Sequence, residues 1–125
     1  MDDGLKKELN EVFVPNVLAY RLLVRAPYFP EKTKGGVIIT SNTREDLTKF
    51  QAIGKIVVLG DDCFKGKTKM FESDVGDWVI YSKYEREQFV INFKGEALYY
   101  YFVNDDRILA KIDEKEVLKV TNGGI

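Results

Sequence analysis

Short apolar runs, rich in β-branched and aromatic residues, recur along this chain and constrain its fold more than any other feature. Each run has the length of a strand, and most intervals between runs contain Gly, Asn or Asp residues, as at Lys94-Gly95-Glu96. Such residues supply the left-handed or side-chain-bonded conformations of tight turns, so the pattern predicts an all-β fold, a small barrel or sandwich. The runs are Val17 to Arg25, Gly36 to Thr40, Ala52 to Leu59, Trp78 to Ser82, Gln88 to Phe93, Ala97 to Val103 and Ile108 to Ile112.

Composition narrows the classes of function. A length of 125 residues suits one domain, and 19 basic against 20 acidic residues leave the chain nearly neutral, which disfavours nucleic acid as a partner. The single cysteine, Cys63, is interpreted as a small apolar filler near a turn, and the absence of histidine removes the commonest zinc ligand and general base. The apolar runs are too short to cross a membrane and the charged N-terminus is unlike a signal peptide, so we expect a cytoplasmic protein.

The stretch from Ala26 to Phe50 is polar and contains one apolar island, GGVIIT at Gly35 to Thr40. A loop of this length is uncommon inside a compact domain and is usually functional or disordered. The island has two interpretations. It is a buried edge strand with Val37 and Ile39 facing the core, or an exposed recognition segment whose aliphatic side chains enter an apolar groove on a partner. The local sequence leaves both open.

A second stretch, Gly60 to Asp74, is expected to form a projecting hairpin. Its tip, Lys65-Gly66-Lys67, is polar, and apolar residues such as Phe64 flank it. The carboxylate pairs Asp61-Asp62 and Asp105-Asp106 are interpreted as turn residues, because adjacent residues on a strand point to opposite faces and cannot act together as an acid–base pair.

Five motifs occur in an order that resembles the GroES-type co-chaperonin family, from about Pro15 to Ile112. PNVLAYRLLVR is similar to the family's first strand, and GGVIIT to its mobile loop. GKIVVLG resembles the strand that leads to the roof hairpin, DVGDWVIY the following glycine-aspartate element, and YYYFVNDDRILAKI the closing strands. Each motif alone is unspecific, and the resemblance depends on the ordered set.

The resemblance implies a GroES-like β-barrel at residues 15–120, with a mobile loop at about 26–50 and a roof hairpin at about 60–74. It implies a ring, a homoheptamer in the family, that caps a nucleotide-bound GroEL-type chaperonin and encloses a client protein. No catalytic residue, metal or cofactor is expected, because the chaperonin partner binds the ATP or ADP. The implied chaperonin-binding residues are Gly35, Gly36, Val37, Ile38, Ile39 and Thr40. The implied roof residues are Phe64, Lys65, Gly66 and Lys67.

Residues 1–14 and the tail 121–125 exceed the family's compact subunit, and such divergence is compatible with a specialised member, including one carried by a virus. Leu5, Leu9 and Phe13 recur every four residues, which allows a short helix of marginal length. Alternate residues of Tyr99 to Phe102 are expected to pack the core while their neighbours cover a subunit interface.

Ring assembly is expected to pair Val17 to Arg25 with the region Ile108 to Val120 of a neighbouring subunit, which would cover open strand edges. Two other functions stay open. One is a barrel that binds single-stranded nucleic acid, and the other is an inert structural ring protein. The stacking platforms of the first would be Tyr81, Phe89, Phe93 and Tyr100.

Overall fold

The computed structural model describes residues 3–29, 52–65, 73–84, 86–121 and 124–125. Its six strands form one antiparallel sheet in the order β4-β5-β1-β2-β3-β6, which confirms the predicted all-β fold. The strands are β1 Arg21–Arg25, β2 Ile53–Leu59, β3 Trp78–Tyr81, β4 Glu87–Phe93, β5 Glu96–Asn104 and β6 Ile108–Ile112. Helices α1 (Asp3–Asn10) and α2 (Glu114–Val120) flank the strands in sequence, and a 3₁₀ turn, Asp105–Arg107, joins β5 to β6.

The predicted strands agree closely with the observed ones, except that one strand begins later in the chain than predicted. The run from Val17 becomes a strand only at Arg21, because a turn precedes it: Ala19 has a φ of 57°, and the Arg21 N–H donates to the Leu18 carbonyl at 3.2 Å. The predicted strand Gly36 to Thr40 lies outside the described residues.

Alternation along β1 divides the apolar residues between the two faces of the sheet. On one, which we call the core face, Leu22 and Val24 pack with Ile56, Val79 and Tyr101. Full burial of one such side chain contributes about 1.5–3 kcal/mol to folding, so this cluster contributes substantially to stability. On the opposite face, which we call the helix face, the terminal segments of the chain cover the sheet.

The helix face has two apolar clusters. Leu9 of α1 and Ile125 pack with Leu23 and Tyr100 in the first. In the second, Val117 of α2 packs against Trp78, together with Ile53. The terminal segments are therefore a layer of the folded domain, since each contributes a buried side chain to it.

The expected pairing of β1 with a neighbouring subunit is wrong. β1 pairs with β2 on one edge and with β5 on the other, within the same chain. The reason is visible in its run of buried residues on both faces, which is typical of a central strand. Residues 114–120, part of the region expected to receive it, form α2 instead.

The N-terminal helix forms but ends before Phe13. Leu5 and Leu9 face the helix-face cluster, whereas Phe13 lies beyond the helix and is 86% exposed. Pro15 follows closely, and a proline disfavours helical backbone at the residue before it. The spacing of four residues therefore predicts the helical positions of Leu5 and Leu9 correctly, and that of Phe13 wrongly.

Adjacent tyrosines in β5 pack on opposite sides of the sheet. Tyr101 lies in the core-face cluster, as expected for alternate residues of this aromatic stretch. Tyr100 is also fully buried, beneath the chain's own terminal segments. The residues next to the core residues were expected to cover a subunit interface. Tyr100 is instead covered by the terminal segments of its own chain.

Candidate functional site

Strand pairing places the two candidate functional segments at opposite ends of the sheet. β1 ends and β2 begins where Arg25 lies opposite Lys55, and residues 30–51 connect them there. At the other end of the same strand pair, where Leu22 lies opposite Leu59, the chain enters the segment 60–74. The candidate chaperonin-binding residues Gly35, Gly36, Val37, Ile38, Ile39 and Thr40 lie outside the described residues, as do Gly66 and Lys67.

The chain is held firmly as it leaves β1 toward residue 30. The Ala26 N–H donates to the Tyr99 carbonyl at 2.9 Å, and Phe29 is buried. Between them, the hydroxyl of Tyr28 donates to Glu96 Oε2 at 2.6 Å, and its ring meets Phe93 edge-on at 5.9 Å. Residues 26–29, at the start of the predicted loop, therefore form a fixed stem.

The C-terminal residues add a second attachment to this stem. Tyr28 and Ile125 exchange two backbone hydrogen bonds, from the Tyr28 N–H at 2.6 Å and from the Ile125 N–H at 2.8 Å. The Ile125 side chain is buried in the helix-face cluster, and Gly124 lies against the Phe29 ring. The tail thus bridges the base of the connection 30–51 and the outer layer of the domain.

At the opposite end, Gly60 begins a tightly packed corner. A Cβ at this position would lie 2.4 Å from the Ala19 carbonyl oxygen and 2.6 Å from that of Arg21, so only glycine fits. Beside it, the Cys63 thiol donates to the Arg21 carbonyl at 3.0 Å, and burial raises the pKa of this thiol. Cys63 is therefore a half-buried residue that is hydrogen-bonded near a turn, and its raised pKa disfavours the reactive thiolate.

The residues assigned to the roof divide between core and surface. Phe64 has a φ of 62° and packs in the core-face cluster, whereas Lys65 is exposed and lies 3.5 Å from Asp62 Oδ1. Phe64 keeps this backbone conformation with the help of Asp105, whose Oδ2 accepts from the Phe64 N–H at 2.8 Å. Sequence reasoning assigned Asp105 to a turn and missed this bond, since the partner lies 41 positions away.

The expected stacking platforms for nucleic acid do not form a common surface. Tyr81 and Tyr100 are fully buried on opposite faces of the sheet, and Phe93 packs against Tyr28. Phe89 alone of the four is exposed, at 36%. Base stacking needs accessible ring faces, so this arrangement counts against a single-stranded nucleic-acid site.

In the described part of the chain, no group of three or more His, Cys, Asp or Glu residues is placed to hold a metal ion. No helix in the same part is long and apolar enough to span a membrane.

Comparison with known proteins adds evidence on the family. A family model described as the chaperonin 10 kd subunit matches residues 16–112, which include all six strands and both connections described above. The chain is 35% identical to Co-chaperonin GroES of Thermotoga maritima and 34% identical to that of Thermotoga petrophila, each over 99 residues, covering 78% of this chain and 94% of the relative. Co-chaperonin GroES of Clostridium perfringens is 30% identical over 97 residues, with 77% and 95% coverage.

Proposed function

Because this chain belongs to the family of the chaperonin 10 kd subunit, we propose that its co-chaperonin function consists of closing the open end of a GroEL-type chaperonin. The observation that carries this proposal is the extent of the family match, which spans the whole sheet. The relatives named Co-chaperonin GroES match over nearly their full length, which supports the same function.

The segment Gly35 to Thr40 is the proposed contact with the chaperonin. Its aliphatic residues, Val37, Ile38 and Ile39, would enter an apolar groove on the partner, and each gains about 1.5–3 kcal/mol on full burial. The fixed stem supports this assignment, because Phe29 and its neighbours hold the start of the connection at one end of the sheet. Ordering such a segment on binding costs about 2–5 kcal/mol or more, so a single segment would bind weakly.

Useful affinity then requires several segments that engage together, which a ring of identical subunits provides. We propose a heptamer, as the resemblance implies, that encloses a client protein. β4 and β6 are the outermost of the described strands, and each pairs with one other strand. The interface would use such open edges in place of β1, since unpaired strand edges favour association. Leu109, exposed on β6, fits an interface of this kind.

The remaining parts of the proposal concern chemistry and location. The subunit would catalyse no reaction and hold no cofactor, because ATP or ADP binds the chaperonin. The proposed location is the cytoplasm, where a GroEL-type partner and its clients would be met.

The test is comigration of the tagged protein with a GroEL-type chaperonin, with and without ATP or ADP. The proposal predicts a complex that depends on nucleotide and tolerates moderate salt. Absence of a complex with the chaperonin under every nucleotide condition would contradict the proposal. Affinity for an oligonucleotide that falls steeply with salt would instead favour the nucleic-acid alternative.

A further inference from the structure

Two cationic side chains lie next to each other on the helix face, beneath α1. Arg25 of β1 and Lys55 of β2 are directly opposite in the strand register, so both side chains project to the same side. Arg25 is 1% exposed and Lys55 is 8% exposed. Burial of two like charges side by side is unusual, because charged residues are rarely buried unless a group of opposite charge accompanies them.

The described residues supply Arg25 with no hydrogen-bond acceptor. Its Nε, Nη1 and Nη2 atoms are all buried, and no acceptor in the described part of the chain reaches any of them. Lys55 Nζ donates to the neutral Asn10 Oδ1 at 3.1 Å. The described residues therefore leave Arg25 without an acceptor and give Lys55 a neutral one.

The charge around the pair is also unbalanced. Lys6 of α1 lies near enough to affect Lys55, and the carboxylate of Glu114, which acts on Lys55 in the opposite direction, is already paired with Lys6 Nζ at 2.7 Å. Burial lowers the pKa of Arg25, with Tyr100 opposing it, and burial together with Arg25 and Lys6 lowers the pKa of Lys55. Both shifts have the direction that burial of a cation produces, and for Lys55 the neighbouring positive charges act in the same direction.

Arg25 cannot remove its buried positive charge by losing a proton, because the pKa of a guanidinium group is too high. An uncompensated buried ion is strongly destabilising. The planar guanidinium matches two oxygens of an oxyanion, and a neighbouring ammonium adds a point charge with further donors. The arrangement thus has the donors and the charge that a small oxyanion requires.

We propose that Arg25 and Lys55 bind one phosphate-sized oxyanion between the sheet and α1, and that the bound anion stabilises the docked position of α1. Arg25 would contact two oxygens of the anion, and Lys55 a third. Entry requires α1 to lift from the sheet. This helix has eight residues, a length at which an isolated helix is unstable. Its described attachments include the packing of Leu5 and Leu9, the hydrogen bond from Lys55 to Asn10, and the ion pairs Lys6–Glu114 and Glu8–Lys94.

The fluorescence of a tryptophan in the chain can report binding at this site. Trp78 is the only tryptophan and lies opposite Lys55 in the pairing of β2 with β3. Inorganic phosphate is titrated into the full-length protein at constant ionic strength, with chloride as the replaced ion. The proposal predicts a saturable change in Trp78 fluorescence and a rise in melting temperature that follows the same curve.

Two variants and one control separate this site from a general salt effect. R25M should lose the response to phosphate, and it should melt higher than the wild type without phosphate, because it removes an uncompensated charge. K55M should weaken phosphate binding by about 10- to 100-fold, the usual effect of losing a charged hydrogen bond, and it carries the test if R25M does not fold. K111M, which removes an exposed lysine paired with Asp77, should respond as the wild type does.

Parallel titration with ATP identifies the source of the phosphate. Inorganic phosphate should bind more tightly than ATP, because the site is enclosed by α1 and has no described opening for a nucleoside. The proposal is overturned if phosphate gives the wild type no saturable response, or if R25M and K55M both respond as the wild type does.

Discussion

The backbone N–H of Phe64 donates a 2.8 Å hydrogen bond to the carboxylate of Asp105, and this bond joins the corner after β2 to the turn after β5. Asp105 is buried, and its own N–H donates to the Tyr20 carbonyl at 2.9 Å. Asp105 therefore joins three segments that are distant in sequence, through its side chain to Phe64 and through its backbone N–H to Tyr20, at the end of the sheet opposite the connection 30–51.

Replacing Asp105 by Ala should lower the free energy of unfolding by about 1.5–3 kcal/mol, because the buried Phe64 N–H loses a charged acceptor. Chemical denaturation measures the change. The matched control is Asp106→Ala at the exposed neighbouring position, which should cost less than about 0.5 kcal/mol. Equal effects of the two substitutions would show that the bond to Phe64 contributes nothing.

Gly60→Ala should destabilise the protein by about 1–3 kcal/mol, the usual cost of overpacking. The new methyl group would meet the carbonyl oxygens of Ala19 and Arg21, and backbone atoms cannot move aside as a side chain can. Thermal unfolding is the measurement. Gly95→Asn serves as the control, since that position has open space and a φ of 79° that Asn tolerates. A neutral Gly60→Ala would contradict the tight corner.

Ile125→Ala should cost about 2–5 kcal/mol, as for other buried aliphatic side chains. The side chain packs among Leu9, Leu23 and Tyr100, and the backbone of Ile125 holds Tyr28. The same substitution at the exposed Val120 is the control, with little effect on denaturant midpoint. If both variants unfold at the wild-type midpoint, the packing of the tail does not stabilise the domain.

Deprotonation of the Tyr81 hydroxyl should lower the stability of the protein at alkaline pH. Burial raises the pKa of its hydroxyl to about 12, against the effects of the Arg86 charge and of a 3.0 Å hydrogen bond from Arg86. The ordinary value is about 10, so the unfolded chain loses this proton first. The resulting contribution is complete below pH 10 and disappears as the pH rises to about 12. Unfolding free energies of Tyr81→Phe and wild type, measured from pH 9 to 12, should differ in slope in this interval. Parallel curves would contradict the assignment.

The sequence predicts those features of the fold that depend on local pattern. Strand positions follow from alternation and turn residues, and Ile108–Ile112 agrees to the residue. The partners of β1 could not be predicted this way, since pairing depends on residues such as Tyr100 and Lys55 that are far away in sequence. The helix α2 forms where Val117 docks on Ile53 and Trp78, a tertiary contact that no local pattern contains.

The sequence likewise predicts only part of the candidate site. Phe64 and Lys65 could be assigned to the roof segment from their order in the chain, but which of them is buried depends on Asp105. The sequence did not predict the pair of Arg25 and Lys55, although Arg25 ends one apolar strand and Lys55 lies within another. Only the register of β1 and β2 shows that the two charges are adjacent. The role of Gly35 to Thr40 stays a prediction.

Ile38→Asp tests whether the aliphatic residues of the segment Gly35 to Thr40 bind a chaperonin. A charge at this position should abolish binding, because an apolar groove cannot solvate it. Affinity for a GroEL-type chaperonin is measured with ATP or ADP present, and light scattering reports the size of the free assembly. Val75→Asp, which places the same charge at an exposed turn, is the control. We expect Ile38→Asp to keep the wild-type assembly and lose chaperonin binding, and Val75→Asp to keep both. An Ile38→Asp protein that binds with wild-type affinity, or that unfolds or dissociates, would overturn the assignment of this segment.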